Sequence, residues 1–459
     1  MQLYSESKNY KLYQGNMLDM LDVLDLNSVD SIVTDPPYEL GFMGKSWDSS
    51  GIAFQRTTWE KCYKVLKPGG YLLAFGGTRT YHRIACAIED AGFEIRDCII
   101  WLYGSGFPKS LNIGLAIDKR NGVESKVVGE GKSGVSSRAY QSEETTTAGA
   151  YDIKEAQNEW SGWGTALKPA YEPIIVARKP VDGSIVENVI RWGVGGMNID
   201  ECRVGDEEIS THKAPKGTFA GGERDRGSDT SSYETHLGRF PSNVIHDGSE
   251  EATKDMPQTG SGNGGEPYNY AGKEYNNKDT SMFNGDKPIA NSNYNDSGSA
   301  SRYFYCAKAS KKDRDDGLEE FESKVKVFNG QSSESSKDIK DVEQRFTTIG
   351  KNVHPTVKPT DLMQYLIRLV TPNGGTILDP FNGSGSTGKA AMYENAEKHK
   401  EYKYIGIELT EEYLPISKAR IEYAERYDPS ASDREPPKKD LETIEKKSGL
   451  TYFNLFDNI

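Results

Sequence analysis

The stretch Ser31-Ile32-Val33-Thr34-Asp35-Pro36-Pro37-Tyr38 decides how the rest of the chain is read. Its first four residues form a run of the kind found in buried parallel strands, and the two prolines end that strand because neither has an N–H to donate. Asp35, the free carbonyls and the Tyr38 ring are then presented together at the carboxyl end of a strand, where open α/β sheets bind ligands. As a bare turn, the tetrapeptide would only punctuate the strand, with its Asp satisfied locally. Read chemically, it suits a flat base that carries an exocyclic amino group. Such a nitrogen is a poor nucleophile because its lone pair is delocalised into the ring. Two acceptors on its two hydrogens, one from Asp35 and one from the Pro36 carbonyl, draw it toward a tetrahedral shape and free the lone pair. Tyr38 offers a stacking face worth roughly 1–3 kcal/mol, against an extrusion cost on the order of a few kcal/mol.

Outward from this stretch, residues 1 to about 104 alternate between strand and helix. A short strand at Lys11-Leu12-Tyr13-Gln14 precedes a helical face of Met17, Leu21 and Leu24. A helix around Trp59, Cys62, Tyr63 and Leu66 stops at Pro68-Gly69-Gly70, and Tyr71-Leu72-Leu73-Ala74-Phe75 is apolar enough to be buried on both faces. Tyr81, Ile84, Ala85 and Ile88 mark another helix, and residues 95–102 another strand. This alternation predicts a doubly wound sheet. Periodicity then fades. Residues 121–160 and about 205–300 are rich in Gly, Ser, Asn and other polar residues, and loops are expected there unless a partner orders them. A strand at Ile174-Ile175-Val176-Ala177 and islands such as residues 238–245 interrupt them. Order returns near His354. Leu362, Tyr365, Leu366 and Leu369 read as a core-facing helical stripe, followed by a strand at Thr376-Ile377-Leu378-Asp379, a glycine loop, a helix, a strand at Tyr404-Ile405-Gly406-Ile407-Glu408 and a last helix to about Tyr427. Residues 450–456 of the charged tail are expected to dock back.

The 459 residues allow two or three domains. No stretch approaches a membrane span, and Met1-Gln2-Leu3-Tyr4-Ser5-Glu6 lacks a basic-then-apolar signal pattern, so a cytosolic protein is expected. Cys62, Cys86, Cys98, Cys202 and Cys306 are scattered, which indicates neither a disulfide framework nor a zinc site. No metal is expected. A net charge of −13 argues against a protein that coats nucleic acid, yet Arg302, Lys308, Lys311, Lys312 and Arg314 face only Asp313 within one short segment. That cluster is a candidate phosphate contact, as well as a candidate solvated surface.

The glycine loop admits three readings. Gly383, Gly385 and Gly388 satisfy the dinucleotide pattern between a strand and a helix, with Glu408 placed to meet ribose hydroxyls, but too little chain follows for a second mononucleotide half. The phosphate-loop pattern fits as far as Lys389, where Ala390 stands in place of the magnesium-binding Ser or Thr. The third ligand is S-adenosylmethionine, whose ribose also takes a carboxylate and whose methionine end takes a tight glycine loop. It accounts for Phe381 as an aromatic flank and for a half-sheet at each end of the chain, with Gly383 and Asp35 on adjacent strand ends.

Asp35-Pro36-Pro37-Tyr38, followed much later by Asp379-Pro380-Phe381-Asn382-Gly383-Ser384-Gly385-Ser386-Thr387, resembles the amino-methyltransferases of DNA. The order of the two motifs, with a variable region between, is similar to their beta class. The resemblance implies an α/β, Rossmann-like, doubly wound, seven-stranded S-adenosylmethionine-dependent methyltransferase sheet with a large loop-rich insert. It implies Asp35, Pro36, Pro37 and Tyr38 as catalytic residues, and cofactor contacts from Asn16, Asp35, Asp379, Phe381, Gly383, Gly385, Thr387 and Glu408. His354-Pro355-Thr356-Val357-Lys358-Pro359 resembles the family's segment before the glycine loop, which implies that His354 and Lys358 touch the methionine end of the cofactor. Lys168-Pro169-Ala170-Tyr171-Glu172-Pro173 resembles its segment near the target base. The islands around Arg191-Trp192-Gly193 and Phe304-Tyr305-Cys306-Ala307-Lys308 resemble those of phage and prophage members. One departure is Asn16, where the family usually has Asp near the cofactor adenine.

The expected partition is a catalytic half at 1–180, target recognition at 181–350, a cofactor half at 351–428 and a tail at 429–459. The activity implied is site-specific methylation of adenine N6 in double-stranded DNA. Cytosine N4, RNA, protein glutamine and a silent DNA-binding role remain as alternatives. Chemistry at cytosine C5 would need a cysteine nucleophile, and the chain has no Pro-Cys dipeptide. Pairing of two copies and a companion restriction nuclease are left open by the sequence.

Overall fold

Ten strands hydrogen-bond into one sheet, and both ends of the chain supply it. In chain order they are β1 (Gln2–Glu6), β2 (Tyr10–Gln14), β3 (Val29–Thr34), β4 (Leu66–Phe75), β5 (Glu94–Leu102), β6 (Tyr171–Arg178), β7 (Val244–His246), β8 (Tyr305–Cys306), β9 (Thr376–Asp379) and β10 (Lys403–Glu408). Their spatial order is β1-β2-β10-β9-β3-β4-β6-β5-β7-β8. Every neighbouring pair is parallel except those made by β1 and β6. The computed structural model describes residues 2–41, 46–104, 106, 110–132, 150–212, 233–259, 298–307, 311–328 and 346–430. Residues 42–45, the Gly-rich run from 260 and the 450–456 segment lie outside the described residues.

Seven strands, β2 to β6 with β9 and β10, make up the sheet expected from sequence. The excess over seven comes from the β1 hairpin at one edge and from β7 and β8 at the other. The last two are the islands near 244 and 305, each too short to be stable alone but able to complete a ladder on an existing edge.

The centre of the sheet is buried on both faces, and side-chain alternation explains how. Ile32, Leu72, Ala74, Ile175 and Ala177 join one cluster with Trp59 and Cys62 of α2 (Arg56–Val65) and Ile84 and Ile88 of α3 (Tyr81–Asp90), beyond the single turn α1 (Met17–Met20). Val33, Leu73, Phe75, Ile174 and Val176 join the opposite cluster. That layer holds α5 (Thr360–Val370), α6 (Ser386–Glu397) and α7 (Leu414–Glu425), with the short α4 (Lys311–Asp315) also in the chain before them. The stripe read on α5 is core, and its polar members are paired. Arg368 donates to both oxygens of Glu394, at 3.0 and 2.5 Å, tying α5 to α6.

The half-sheets join at β3 and β9, where Ile377 pairs with Ser31 and Leu378 with Ile32. Side chains reinforce the seam. Asp30 accepts from the Thr376 N–H at 2.8 Å, Ser31 and Thr371 share a hydroxyl bond at 2.8 Å, and the Thr34 hydroxyl donates to Asp379 at 2.7 Å.

Residues 105–170 form a compact unit of their own, and residues 1–104 with 171–459 form the other. The smaller unit has a helix at Ile113–Asn121, capped by Asn112 and ended by Gly122, and an antiparallel ladder between Lys126–Lys132 and Ala150–Glu155. A second ladder, between Val204–His212 and Tyr233–Arg239, lies in the larger unit. Loops were expected in both places. Gly129 and Gly131 in one hairpin and the polar alternation of the other hide the strand period from a single-sequence reading, while the backbone ladder needs no apolar face to form.

Candidate active site

The parallel strands β2, β10, β9, β3 and β4 all end on one edge of the sheet, and the antiparallel β6 begins there. Asp35 therefore follows β3 directly, Asp379 closes β9, Glu408 closes β10, Phe75 closes β4 and Glu172 opens β6. Residues far apart in sequence converge because strand direction leaves their side chains nowhere else to emerge.

On the β3 side, Lys358 is the centre. Its ammonium lies 2.8 Å from Asp35 Oδ2, 3.1 Å from Glu172 Oε2 and 3.1 Å from the Tyr38 hydroxyl. Tyr38 in turn donates to Glu172 at 2.9 Å, and its carbonyl accepts from the Thr80 hydroxyl at 2.7 Å. The ammonium also sits 4.9 Å from the Phe75 ring centroid and 5.3 Å from that of Tyr38, within cation–π range. Burial pushes the Asp35 carboxyl above its ordinary value; the Lys358 ammonium opposes this and the Glu172 charge adds to it. Burial and the two neighbouring carboxylates push the Tyr38 phenol far up. For Lys358, burial works to release the proton, but Asp35 and Glu172 outweigh it and hold the ammonium above its usual range. Asp35 Oδ1 is buried and has no hydrogen-bond partner among the described residues. An unpaired buried acceptor is costly, and such an atom points to a missing donor.

On the β9–β10 side, Glu408 is held by two backbone amides, Gly383 N–H at 2.6 Å and Thr410 N–H at 2.7 Å. Burial nevertheless pushes its carboxyl up to about 7. Gly383 has φ +52°, and a Cβ there would lie 2.9 Å from His354 Nε2, so the loop passes the imidazole where only glycine fits. His354 is fixed through Nδ1 to the Thr356 carbonyl at 2.9 Å and packs edge-on against Tyr413, ring centres 4.6 Å apart. Gly385, at φ +75°, starts α6. Phe381 is half-buried beside Trp59. A glycine loop, a strand-end carboxylate and an adjacent unpaired acceptor fit a nucleoside cofactor with a reactive tail, and Gly383, Phe381 and Glu408 are the residues that would hold it.

Other expected residues have different positions. Asp379 is fully engaged internally, accepting from Thr34 at 2.7 Å, Thr387 at 2.6 Å and the Phe381 N–H at 3.1 Å, and burial lifts its carboxyl to about 6. Asn16 caps α1 through its side-chain oxygen, 2.9 Å from the Leu18 N–H. Lys358, implied at the methionine end of the cofactor, is bonded to the Asp35 cluster. Lys389, the residue that a phosphate loop would aim at its ligand, is fully buried and bonded to Asp313 at 2.8 Å.

Two arginines of the basic cluster are bonded to backbone carbonyls. Arg302 donates to the Gly298 and Ser299 carbonyls at 2.6 and 2.8 Å, and Arg314 donates to the His354 carbonyl at 2.5 Å. Lys312 is exposed, whereas Lys308 and the Lys311 side chain lie outside the described residues. Glu172 is the residue that sequence reasoning passed over. It stood in a quoted motif without a role, and its only signal was an acid opening an apolar strand. Among the described residues no three His, Cys, Asp or Glu converge to hold a metal, and no helix is long and apolar enough to cross a membrane.

The sequence model of a family described as DNA methylase, of the N6/N4 type, matches residues 29–419. The type II methyltransferase M.HindIII of Haemophilus influenzae is 24% identical over 139 residues, covering 30% of this chain and 35% of that protein. The DNA adenine methyltransferase YhdJ of Escherichia coli is 36% identical over 74 residues, covering 16% and 23%. The chain thus spans about a third or less of the length of these relatives. Among solved structures, PvuII DNA methyltransferase (cytosine-N4-specific) aligns over 94% of this chain and 92% of its own, with 13% identity and a TM-score of 0.40.

Proposed function

The chain belongs to the N6/N4 DNA methylase family, and from that premise we propose that it methylates N6 of an adenine swung out of double-stranded DNA, with S-adenosylmethionine as donor. The observation that carries this reading is Asp35 Oδ1, a buried acceptor with no partner among the described residues, directly after the strand that pairs with the one leading into the glycine loop. S-adenosylmethionine supplies a methyl group on a sulfonium, which departs with the bonding pair as a neutral thioether. Asp35 Oδ1 accepts one hydrogen of the target amine and the Pro36 carbonyl the other, so the nitrogen lone pair is free to form the new N–C bond. The nitrogen then sheds one proton to Asp35. Tyr38 stacks on the base, a gain of roughly 1–3 kcal/mol that offsets part of the extrusion cost. Glu408 accepts from the ribose hydroxyls, and Gly383 and Phe381 line the cofactor.

Adenine is preferred to cytosine because Asp leads the tetrapeptide, where Ser is commoner among cytosine-N4 members of the family. Target recognition is assigned to residues 181–350, and a cytoplasmic location follows from the substrate. The test is tritium transfer from labelled cofactor to duplex DNA, with the modified nucleoside identified after digestion. N6-methyl-2′-deoxyadenosine supports the reading, and N4-methyl-2′-deoxycytidine replaces the base. Label in RNA or protein with none in DNA refutes it.

A further inference from the structure

We infer that Lys358 and Glu172 are positioning residues for Asp35: the ammonium claims Oδ2 and leaves Oδ1 for the target amine, and Glu172 holds the ammonium in that place. The inference rests on the role given to Asp35 above and adds the device that orients it.

The geometry is complete on the lysine side. An ammonium has three N–H groups, and three acceptors surround this one at 2.8 to 3.1 Å, namely Asp35 Oδ2, Glu172 Oε2 and the Tyr38 hydroxyl. The Tyr38 hydroxyl takes one of these hydrogens and passes its own to the same Glu172 oxygen. Every donor has an acceptor, so no N–H remains for a cofactor carboxylate. The remaining oxygen of Asp35, Oδ1, has no partner among the described residues. The lysine side chain is 7% exposed, which keeps water from competing.

The charge pattern explains why an acid and a base are both needed. Two carboxylates share one cation, and among the described residues the other groups facing them are uncharged or acidic: Tyr38 and Asp379 beside Asp35, and Tyr103 beside Glu172 and Lys358. Lys358 favours the ionised form of Asp35, and Glu172 opposes it through its own charge while anchoring the ammonium. The two residues therefore act on Asp35 with opposite sign.

The experiment is the pH profile of kcat for methyl transfer in K358M, E172Q and K358R, with cofactor affinity and thermal unfolding measured alongside. In K358M the acid limb moves to higher pH, and transfer at a fixed pH on that limb falls about tenfold for each unit of movement, with cofactor affinity kept. In E172Q the limb moves to lower pH. K358R keeps a cation and restores the limb toward its original place. Without Lys358, the folded pKa of Asp35 rises further above its unfolded value, so stability present at low pH is lost as pH rises. The Tm gap between K358M and the unmodified protein therefore widens as pH rises above the usual carboxylate range, and the D35N/K358M double variant closes that widening. An unchanged acid limb and a constant Tm gap in K358M overturn the inference, as does a K358M variant whose only defect is weaker cofactor binding. If K358M does not fold, an acid limb in E172Q that stays put or moves upward overturns it equally. Absence of transfer by the unmodified protein refutes the proposed function instead, and the Tm measurement still reads the Lys358–Asp35 contact.

Discussion

Cofactor affinity should follow the ionisation of Glu408. The carboxylate closes β10 beneath the glycine loop, and in the role proposed for it the anion would accept two ribose hydroxyls, whereas the protonated form would accept only one well. Its carboxyl is pushed up to about 7 by burial, despite two backbone amides that favour the anion. At that value roughly a tenth of the protein has the anion at pH 6 and roughly nine tenths at pH 8. S-adenosylmethionine is therefore expected to bind about tenfold more tightly at pH 8 than at pH 6, equivalent to about 1.4 kcal/mol. Calorimetric titration gives Kd across this range. At pH 7 the same titration in buffers of different ionisation enthalpy should report release of about half a proton per cofactor bound. E408Q removes both effects and binds weakly at every pH. A Kd independent of pH between 6 and 8, or a proton release that persists in E408Q, would refute the reasoning and place the ribose elsewhere.

Replacing Asp35 by Asn should lower kcat by about 100-fold or more while cofactor affinity stays within a few-fold, since the loss is of one preorganised acceptor; equal loss of cofactor binding would contradict that division of labour. Stability should decline as pH rises from 5 to 8. Asp379 is raised to about 6 and Glu408 to about 7, and an acid raised on folding stabilises below its unfolded pKa and loses that contribution as pH passes through the folded one. Thermal scans of D379N should show a shallower decline, and an identical slope would remove Asp379 from the account. Arg368→Met strands the fully buried Glu394 without its partner, with an expected loss of about 3–5 kcal/mol in denaturant unfolding. Gly383→Ala forces a positive-φ residue and a Cβ against His354, so it should weaken cofactor binding more than it lowers Tm.

Much of the candidate site was legible because its parts are local. Asp35-Pro36-Pro37-Tyr38 ends a strand by proline chemistry, and Gly383 and Gly385 take positive φ in the loop after β9. Both readings need only neighbouring residues. Partnerships that cross the chain were not legible. Nothing local distinguishes Asp379, tied internally by Thr34 and Thr387, from Asp35, left with an open oxygen. Arg302 and Arg314 read as free charges in sequence, yet each is bonded to carbonyls of its own fold.

From the amino acids alone came the two half-sheets, their shared strand edge and the candidate acceptor and cofactor loop, because periodicity, proline and glycine act over a few residues. Folding in three dimensions decided what stands beside what. Setting β9 against β3 brings residues about 345 positions apart into hydrogen-bond contact. The same packing carries Lys358 and Glu172 to Asp35. Ionisation and orientation depend on distance in space and on exclusion of water, and neither quantity is written along the chain.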